Sequence, residues 1–308
     1  MPAGAAPAAT IGAELAAAAA RLAPVSDTAR LDAEILMAHA LGVSRSDLIL
    51  RHMRDAVPAG FAVLIERRLG HEPVAYITGT QAFWGLDLAV NPHVLIPRGD
   101  SETLIDLAIT LRQGQPPARV IDLGTGSGAL LLAALAQWPQ ARGIGLDRSA
   151  EALAVAQGNA ARLGLDDRAR LIVADWTDAD WTDADWTNAG RADALGRFDL
   201  VLANPPYVET GAALARSVAD HEPHGALFAG ADGLNDYRVI VPQIDALLAP
   251  GGVALVEIGW TQADAVCALA GAAGLAACVH PDLAGRPRVV EITRKPQKAV
   301  EIDPIGEI

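Results

Sequence analysis

Asn204-Pro205-Pro206-Tyr207 follows the apolar run Phe198 to Ala203 without a gap. That places the tetrapeptide at the carboxyl edge of a predicted strand, where open α/β sheets bind their ligands. Two consecutive prolines cannot extend a strand, and their fixed φ makes a rigid loop. Such a loop suits a particular chemistry. A nitrogen that attacks a sulfonium methyl needs its lone pair in line with the methyl–sulfur bond, and an amide nitrogen is a poor nucleophile because that lone pair is delocalised. If the Asn204 side-chain oxygen and the Pro205 carbonyl accept the two N–H bonds, they orient the nitrogen and favour its pyramidal, positively charged form. Tyr207 can pack on the planar target, and its π-face favours positive charge nearby. Asn204, Pro205 and Tyr207 are therefore candidate catalytic residues, and Asn204, Pro205, Pro206 and Tyr207 the candidate substrate loop. Taken alone, the tetrapeptide also fits an ordinary proline turn capping a strand.

Upstream, Asp122-Leu123-Gly124-Thr125-Gly126-Ser127-Gly128 joins a predicted strand to the helical run Ala129 to Ala136. Its glycines permit positive φ and close approach of a ligand to bare backbone. Asp147 ends the next predicted strand, where an acid can take both hydroxyls of a ribose. An adenosine-containing cofactor follows. Gly124-x-Gly126-x-x-Ala129 also fits the looser dinucleotide fingerprint, so NAD competes with S-adenosylmethionine at this loop. A nicotinamide cofactor has no use for Asn-Pro-Pro-Tyr, which favours the methyl donor. Asp175-Trp176, after the third strand, could hold the adenine amino group and flank its ring. These two residues open a five-residue repeat, Asp-Trp-Thr-Asp-Ala, so a shift of register would bring Asp180 or Asp185 to the same place. The repeat itself reads as a surface-loop expansion, which costs little loop entropy. The candidate cofactor residues are Gly124, Thr125, Gly126, Ser127, Gly128, Asp147, Asp175, Trp176 and Asn204. No metal is required, and His39, His93, His221, His224 and His280 show no metal-ligand spacing.

The elements that must position these residues alternate. Strands are predicted at 119–122, 142–147, 171–174, 198–203 and 253–258 with helices between, the pattern of a parallel sheet with helical crossovers. Strands at 276–279 and 288–293 are separated by too little chain for a helix, so they should be antiparallel. A seven-stranded, mostly parallel sheet with a reversed last strand is the Rossmann-like sheet of class I methyltransferases. Ahead of it, Ile11 to about Leu69 carries helical periodicity, with Thr10 and Ser44 at cap positions and Pro58 near another start. Tyr76-Ile77-Thr78, Phe83 to Val90 and Val94-Leu95-Ile96 read as strands of a β-hairpin linker. Ser101 reads as the cap of a helix running to Leu111. The expected divisions are a helical domain at 1–72, the linker at 73–97, the α/β domain at 98–296 and a flexible tail at 297–308.

Over 308 residues, 24 Lys plus Arg stand against 37 Asp plus Glu, and the net charge of -13 weighs against a large duplex-binding face. A protein or small-molecule partner fits better than direct contact with nucleic acid. Cys267 and Cys278 are too few for a disulfide framework, which favours a reducing compartment. Glu14 interrupts the alanine-rich stretch 13–20, which reads as a helix rather than a signal peptide, and no apolar run reaches the roughly 18 residues of a membrane span. A cytoplasmic location with no membrane association is expected.

These residues together resemble the HemK/PrmC protein glutamine N5-methyltransferases. Phe83-Trp84-Gly85, Val94-Leu95-Ile96-Pro97-Arg98, the Asp122 to Gly128 loop, Asn204-Pro205-Pro206-Tyr207 and Glu257-Ile258-Gly259 are similar to family motifs in family order. His221-Glu222-Pro223 through Leu227 and Gly230 to Leu234 match as well. The resemblance implies methyl transfer from S-adenosylmethionine, leaving S-adenosylhomocysteine, to the glutamine of the Gly-Gly-Gln motif of class I peptide chain release factors. It further implies that the helical domain engages the release factor. Gly99-Asp100-Ser101-Glu102 departs from the commoner Pro-Glu-Thr-Glu. The nearest alternative is an adenine-N6 or guanine-N2 nucleic-acid methyltransferase, which presents a similar turn to an exocyclic amine on a flipped base. A non-catalytic docking module is another.

Overall fold

The computed structural model describes residues 10–177 and 197–296. The later copies of the repeat, with Asp180 and Asp185, and the tail expected at 297–308 lie outside the described residues. The chain divides into two units, with the boundary between Pro97 and Arg98; the segment Ala212–Ala226 belongs with the N-terminal unit.

Helices α1 (Ile11–Leu22), α2 (Ala29–Leu41), α3 (Arg45–Asp47) and α4 (Phe61–Leu69) open the first unit. Ile11, Leu15, Ala18 and Leu22 recur every three or four residues along one face of α1 and are buried with Leu36, Met37, Phe61 and Ile65. Thr10 and Ser44 cap as their types suggest, Ser44 Oγ accepting the Asp47 N–H at 3.0 Å. Under these helices Arg68 pairs with Asp32 at 2.7 Å, and the hydroxyls of Ser26 and Thr28 also donate to that carboxylate. The buried charge is thereby fully compensated.

The linker differs from its expected form in two places. Tyr76-Ile77-Thr78 is not a strand but part of α5 (Val74–Thr78), which starts after Pro73 and ends at Gly79 with φ +75°. Its aromatic and β-branched residues are short enough to suit either state, and burial of Ala75, Tyr76 and Ile77 decides for the helix. Val94 to Ile96 forms no strand, because side chains take its backbone groups: Tyr76 donates to the Val94 carbonyl at 2.6 Å, and Glu222 accepts the Ile96 N–H at 3.2 Å. Between them, β1 (Thr80–Phe83) and β2 (Leu86–Ala89) make the hairpin. Trp84 and Gly85 turn it at φ +51° and +72°, inside the stretch expected as one strand.

The second unit begins with α6 (Glu102–Leu111). Its sheet contains β3 (Arg119–Leu123), β4 (Arg142–Asp147), β5 (Ala169–Val173), β6 (Phe198–Ala203), β7 (Leu248–Glu257), β8 (Leu275–Pro281) and β9 (Pro287–Arg294). The order is β5-β4-β3-β6-β7-β9-β8, parallel except that β9 runs antiparallel to both neighbours. Crossovers include α7 (Ala129–Gln137), α8 (Ala150–Arg162), α9 (Asn235–Leu247) and α10 (Ala263–Ala272). Tyr237, Ile240, Val241 and Ile244 of α9 pack with Val201, Ala203, Ala254 and Val256 of the sheet. Because β3, β4, β5 and β6 are parallel neighbours, their carboxyl ends share one edge, and the loops that follow them meet there. No helix among the described residues is long and apolar enough to cross a membrane.

Candidate active site

The glycine loop leaves β3 with Gly124, Gly126 and Gly128 at φ +74°, +54° and +85°, conformations that only glycine adopts without strain. Its polar groups are used internally. Gly124 and Thr125 donate their N–H groups to the Leu146 carbonyl at 2.9 and 2.8 Å, and Gly128 donates to Thr125 at 2.8 Å. The Thr125 hydroxyl turns inward to Asp122 at 2.7 Å, and Asn159 donates to the Ser127 carbonyl at 2.8 Å. Asp147, at the end of β4, accepts the Gly126 N–H at 2.9 Å and the Ser149 N–H at 2.9 Å. Of the three glycines only Gly126 faces space with no atom within 4 Å, and the Asp147 carboxylate lies at its N–H.

Asp122 lies beneath that loop, 1% exposed, with Oδ1 lacking any hydrogen-bond partner. Burial raises its carboxyl to about 7, outweighing the bonds from Thr125 and Leu131 that favour the charge. A raised carboxyl binds its proton more tightly in the folded chain. Stability from this group is therefore present at low pH and is lost as pH rises from about 4 to about 7. Asp122→Asn should flatten that slope and stabilise the protein at pH 8 by up to about 4 kcal/mol. Urea unfolding at pH 5 to 8 measures this, and an unchanged slope would refute it.

After β5, Trp176 stands against the loop, whereas the Asp175 side chain is engaged by Thr177. The Trp176 indole packs so closely on Gly124 that a Cβ there would meet Cη2 at 3.0 Å. Its Nε1 donates to Asp236 Oδ1 at 3.0 Å, and Gln243 donates to its carbonyl at 3.3 Å. Asp175 Oδ1 accepts both the N–H and the hydroxyl of Thr177, at 2.9 and 2.8 Å, in a turn of its own.

Asn204 follows β6 and is half-buried, with Pro205 and Pro206 buried behind it. Its Nδ2 donates to Ser101 Oγ at 3.1 Å, which leaves Oδ1 as the acceptor available to a substrate. Ser101 is thus not the cap that its position suggests: its φ and ψ are already helical, it makes no capping bond, and its side chain serves the Asn204 loop. The Tyr207 hydroxyl points inward to Glu257 Oε1 at 3.4 Å, and burial pushes it up to about 12. Gln262 secures the same loop from α10's start: Nε2 donates to the carbonyls of Tyr207 and Gly233 at 3.0 and 3.2 Å, while Oε1 accepts the Gly259 N–H at 3.0 Å. Beyond Tyr207 the chain is stitched to 227–230 by Val208 N–H to Leu227, Ala229 N–H to Val208 and Thr210 N–H to Gly230, at 2.8 to 2.9 Å.

The strand order thus brings the glycine loop, Asp147, Trp176 and Asn204 to one edge of one sheet. Sequence comparison is decisive about the lineage. The PrmC N-terminal domain family matches residues 14–79, and a methyltransferase domain family matches residues 115–279. A release factor glutamine methyltransferase of Bradyrhizobium diazoefficiens is 40% identical over 280 residues, covering 88% of this chain and 90% of that protein. This chain belongs to the release factor glutamine methyltransferase family. A member from Cereibacter sphaeroides is 42% identical over 271 residues, covering 86% of this chain and 91% of its own. Among solved structures, the hMettl16 catalytic domain in complex with MAT2A 3'UTR hairpin 6 shares the fold, with a TM-score of 0.52 at 13% identity over 70% of this chain and 77% of that one. In this family member, Gln262 and Arg288 brace the candidate site without any signal in their spacing, while Ser101 and Gly233 fall in segments that the sequence singled out without showing this role. Arg288 is buried and reaches Asp100 at 3.0 Å and the Ile258 carbonyl at 3.3 Å. The acid of the departed Gly-Asp-Ser-Glu segment is therefore held by β9. At the opposite end of the sheet order from β5, His280 bonds Glu291 at 2.8 Å beside Cys278, as a locally paired histidine on edge strand β8.

Proposed function

We propose that this chain transfers the methyl group of S-adenosylmethionine to N5 of the glutamine in the Gly-Gly-Gln motif of a class I peptide chain release factor, in the cytoplasm. One observation carries the reading: Ser101 engages Nδ2 of Asn204, so the Asn204 amide presents its oxygen at the strand end beside the glycine loop. That oxygen and the Pro205 carbonyl would accept the two N–H bonds of the substrate amide. Holding both bonds orients the nitrogen and stabilises the positive charge that it gains on attack.

The cofactor reading has its own support. A pyrophosphate would need free N–H donors at the loop and helix start. Instead Gly124, Thr125 and Gly126 have their N–H groups engaged, the last by the Asp147 carboxylate, which would repel a phosphate. A cofactor without phosphate fits better, its sugar hydroxyls on Asp147 and its aromatic base near Trp176. When bound, S-adenosylmethionine supplies an electrophilic methyl on a sulfonium. The chain's part is to hold the amide, to exclude water through the buried prolines, and to keep Tyr207 neutral.

Asp147→Asn should weaken S-adenosylmethionine binding about tenfold or more, since one ribose acceptor becomes a donor. Calorimetric titration reads this directly, and unchanged affinity would remove Asp147 from the cofactor site. The function is tested with methyl-labelled S-adenosylmethionine and a purified release factor, followed by peptide mass spectrometry. Label is expected on the Gly-Gly-Gln glutamine. Label in DNA or RNA alone would replace this reading with base methylation.

A further inference from the structure

Cys278 and His280 stand two residues apart on β8, so their side chains leave the same face of the sheet. Glu291 of β9 lies directly opposite Cys278 in the register and diagonal to His280, the two positions from which a long side chain reaches a cross-strand neighbour. One sulfur, one imidazole nitrogen and one carboxylate oxygen thereby come within 4.8 Å of one another. No spacing in the sequence announces this set, because its third member arrives through the hairpin register, 11 residues beyond His280. The side chains of His280 and Glu291 are 26% and 21% exposed, which restrains them yet leaves them accessible to an ion, and Cys278 is exposed. His280 also lines a cavity of about 280 Å³ whose wall includes Glu102 and Asp106 of α6 and Asp282 of the β8–β9 turn. A cation entering there meets carboxylates, of which Asp282 is paired with Arg288 at 3.4 Å.

We propose that Cys278, His280 and Glu291 form a Zn2+ site whose fourth position opens toward this cavity. Mg2+ and Ca2+ take oxygen ligands, whereas Zn2+ accepts sulfur, nitrogen and carboxylate oxygen together. The charges balance as well. Thiolate and carboxylate cancel the two positive charges and the imidazole is neutral, so a half-buried site is left with no net charge. In a tetrahedral zinc site with bonds of about 2.0–2.3 Å, neighbouring ligand atoms stand about 3.3–3.8 Å apart, so side-chain rotations of about 1 Å complete the set. The ion replaces the His280 Nε2 bond to Glu291 Oε2 at 2.8 Å. Imidazole then binds in its neutral form and Cys278 as thiolate, and the displaced protons pass to solvent. Bound there, the ion clamps edge strand β8 onto β9, at the far end of the strand order from β5. No step of the proposed methyl transfer runs through it.

The full chain, reduced and stripped of metal with a chelator, is titrated with Zn2+ against a chromophoric zinc indicator. One equivalent should bind with micromolar or tighter affinity. Cys278→Ser, His280→Ala and Glu291→Gln should each weaken that affinity by at least about 10- to 100-fold, the loss typical of a group that only orients a ligand. Cys267→Ser is the control, since that thiol stands outside the cluster, and it should bind as the wild type does. Co2+ in place of Zn2+ should give the intense thiolate-to-cobalt absorption in the wild type and in Cys267→Ser, and not in Cys278→Ser. Zn2+ should also raise the Tm of the wild type and leave that of Cys278→Ser unmoved. Equal Tm values for the two metal-free proteins show that the variant is folded. Failure of the wild type to bind one equivalent, or binding that all three substitutions leave intact, overturns the proposal.

Discussion

Asn204→Ala is expected to lower kcat by about 100- to 1000-fold, the loss typical of one transition-state hydrogen-bonding group. S-adenosylmethionine affinity should change only a few-fold, because the glycine loop, Asp147 and Trp176 remain. Truncation leaves the Pro205 carbonyl as the sole acceptor of the proposed pair, and a nitrogen held by one bond can rotate out of line. Since the oxygen strengthens its bond as the nitrogen becomes positive, kcat and kcat/KM should fall together. Asn204→Asp keeps an acceptor but loses the donor to Ser101, and it adds a negative charge toward Glu257; it should not rescue. Single-turnover methylation of a release factor, paired with calorimetric cofactor titration, separates the two effects. Turnover above a tenth of wild type in Asn204→Ala would end its assignment to catalysis.

Gly233→Ala should be nearly as damaging although the residue touches no reacting atom. Gly233 sits at φ +68°, and a Cβ there would lie 2.3 Å from the Tyr207 carbonyl oxygen and 2.6 Å from Gln262 Nε2. Relief requires moving either the Asn204–Tyr207 loop proposed to hold the substrate or the glutamine that secures it. Expected are a loss of about 1–3 kcal/mol in stability and about a 100-fold drop in kcat, the penalty for small misplacement of a reacting group. Gly211→Ala is the control: its φ is +93°, yet nothing lies within 4 Å of the added atom. It should show backbone strain alone and near-normal turnover. Equal activity in the two variants would mean that close packing at Gly233 does not position the loop.

The sheet was legible because its strands are short apolar runs bounded by glycine, proline and acids, and because parallel connections demand long crossovers. Asn204, Asp147 and the glycine loop could be placed at strand ends from sequence alone, and their convergence follows from strand order. The second tier was hidden. A serine preceding a helix is a natural cap by every local criterion, and only a partner 103 residues away redirects Ser101. Glu257 was visible as part of Glu257-Ile258-Gly259 without a role, since its meaning lies in burial beside Ser101, Tyr207 and Arg288. Gln262 carries no pattern at all, and Gly233 was visible only within Gly230 to Leu234 without a role, because tertiary contacts alone define what they do. The reading of Tyr76-Ile77-Thr78 as a strand failed for the opposite reason: three residues of high strand propensity were outweighed by burial in a helical unit.

The stitch between Val208–Thr210 and Leu227–Gly230 closes the chain just before it departs into Ala212–Ala226 and just after it returns. That excursion is thereby a cassette with a sealed base. Glu222 in the departed segment anchors to the Ile96 N–H, and His221 to the Gly70 carbonyl at 3.3 Å, so its far end answers to the helical unit. Doubling the length of such a closed loop costs only about 0.6 kcal/mol. This insert can therefore be exchanged or extended at small entropic cost while the Asn204 loop beneath the stitch keeps its shape.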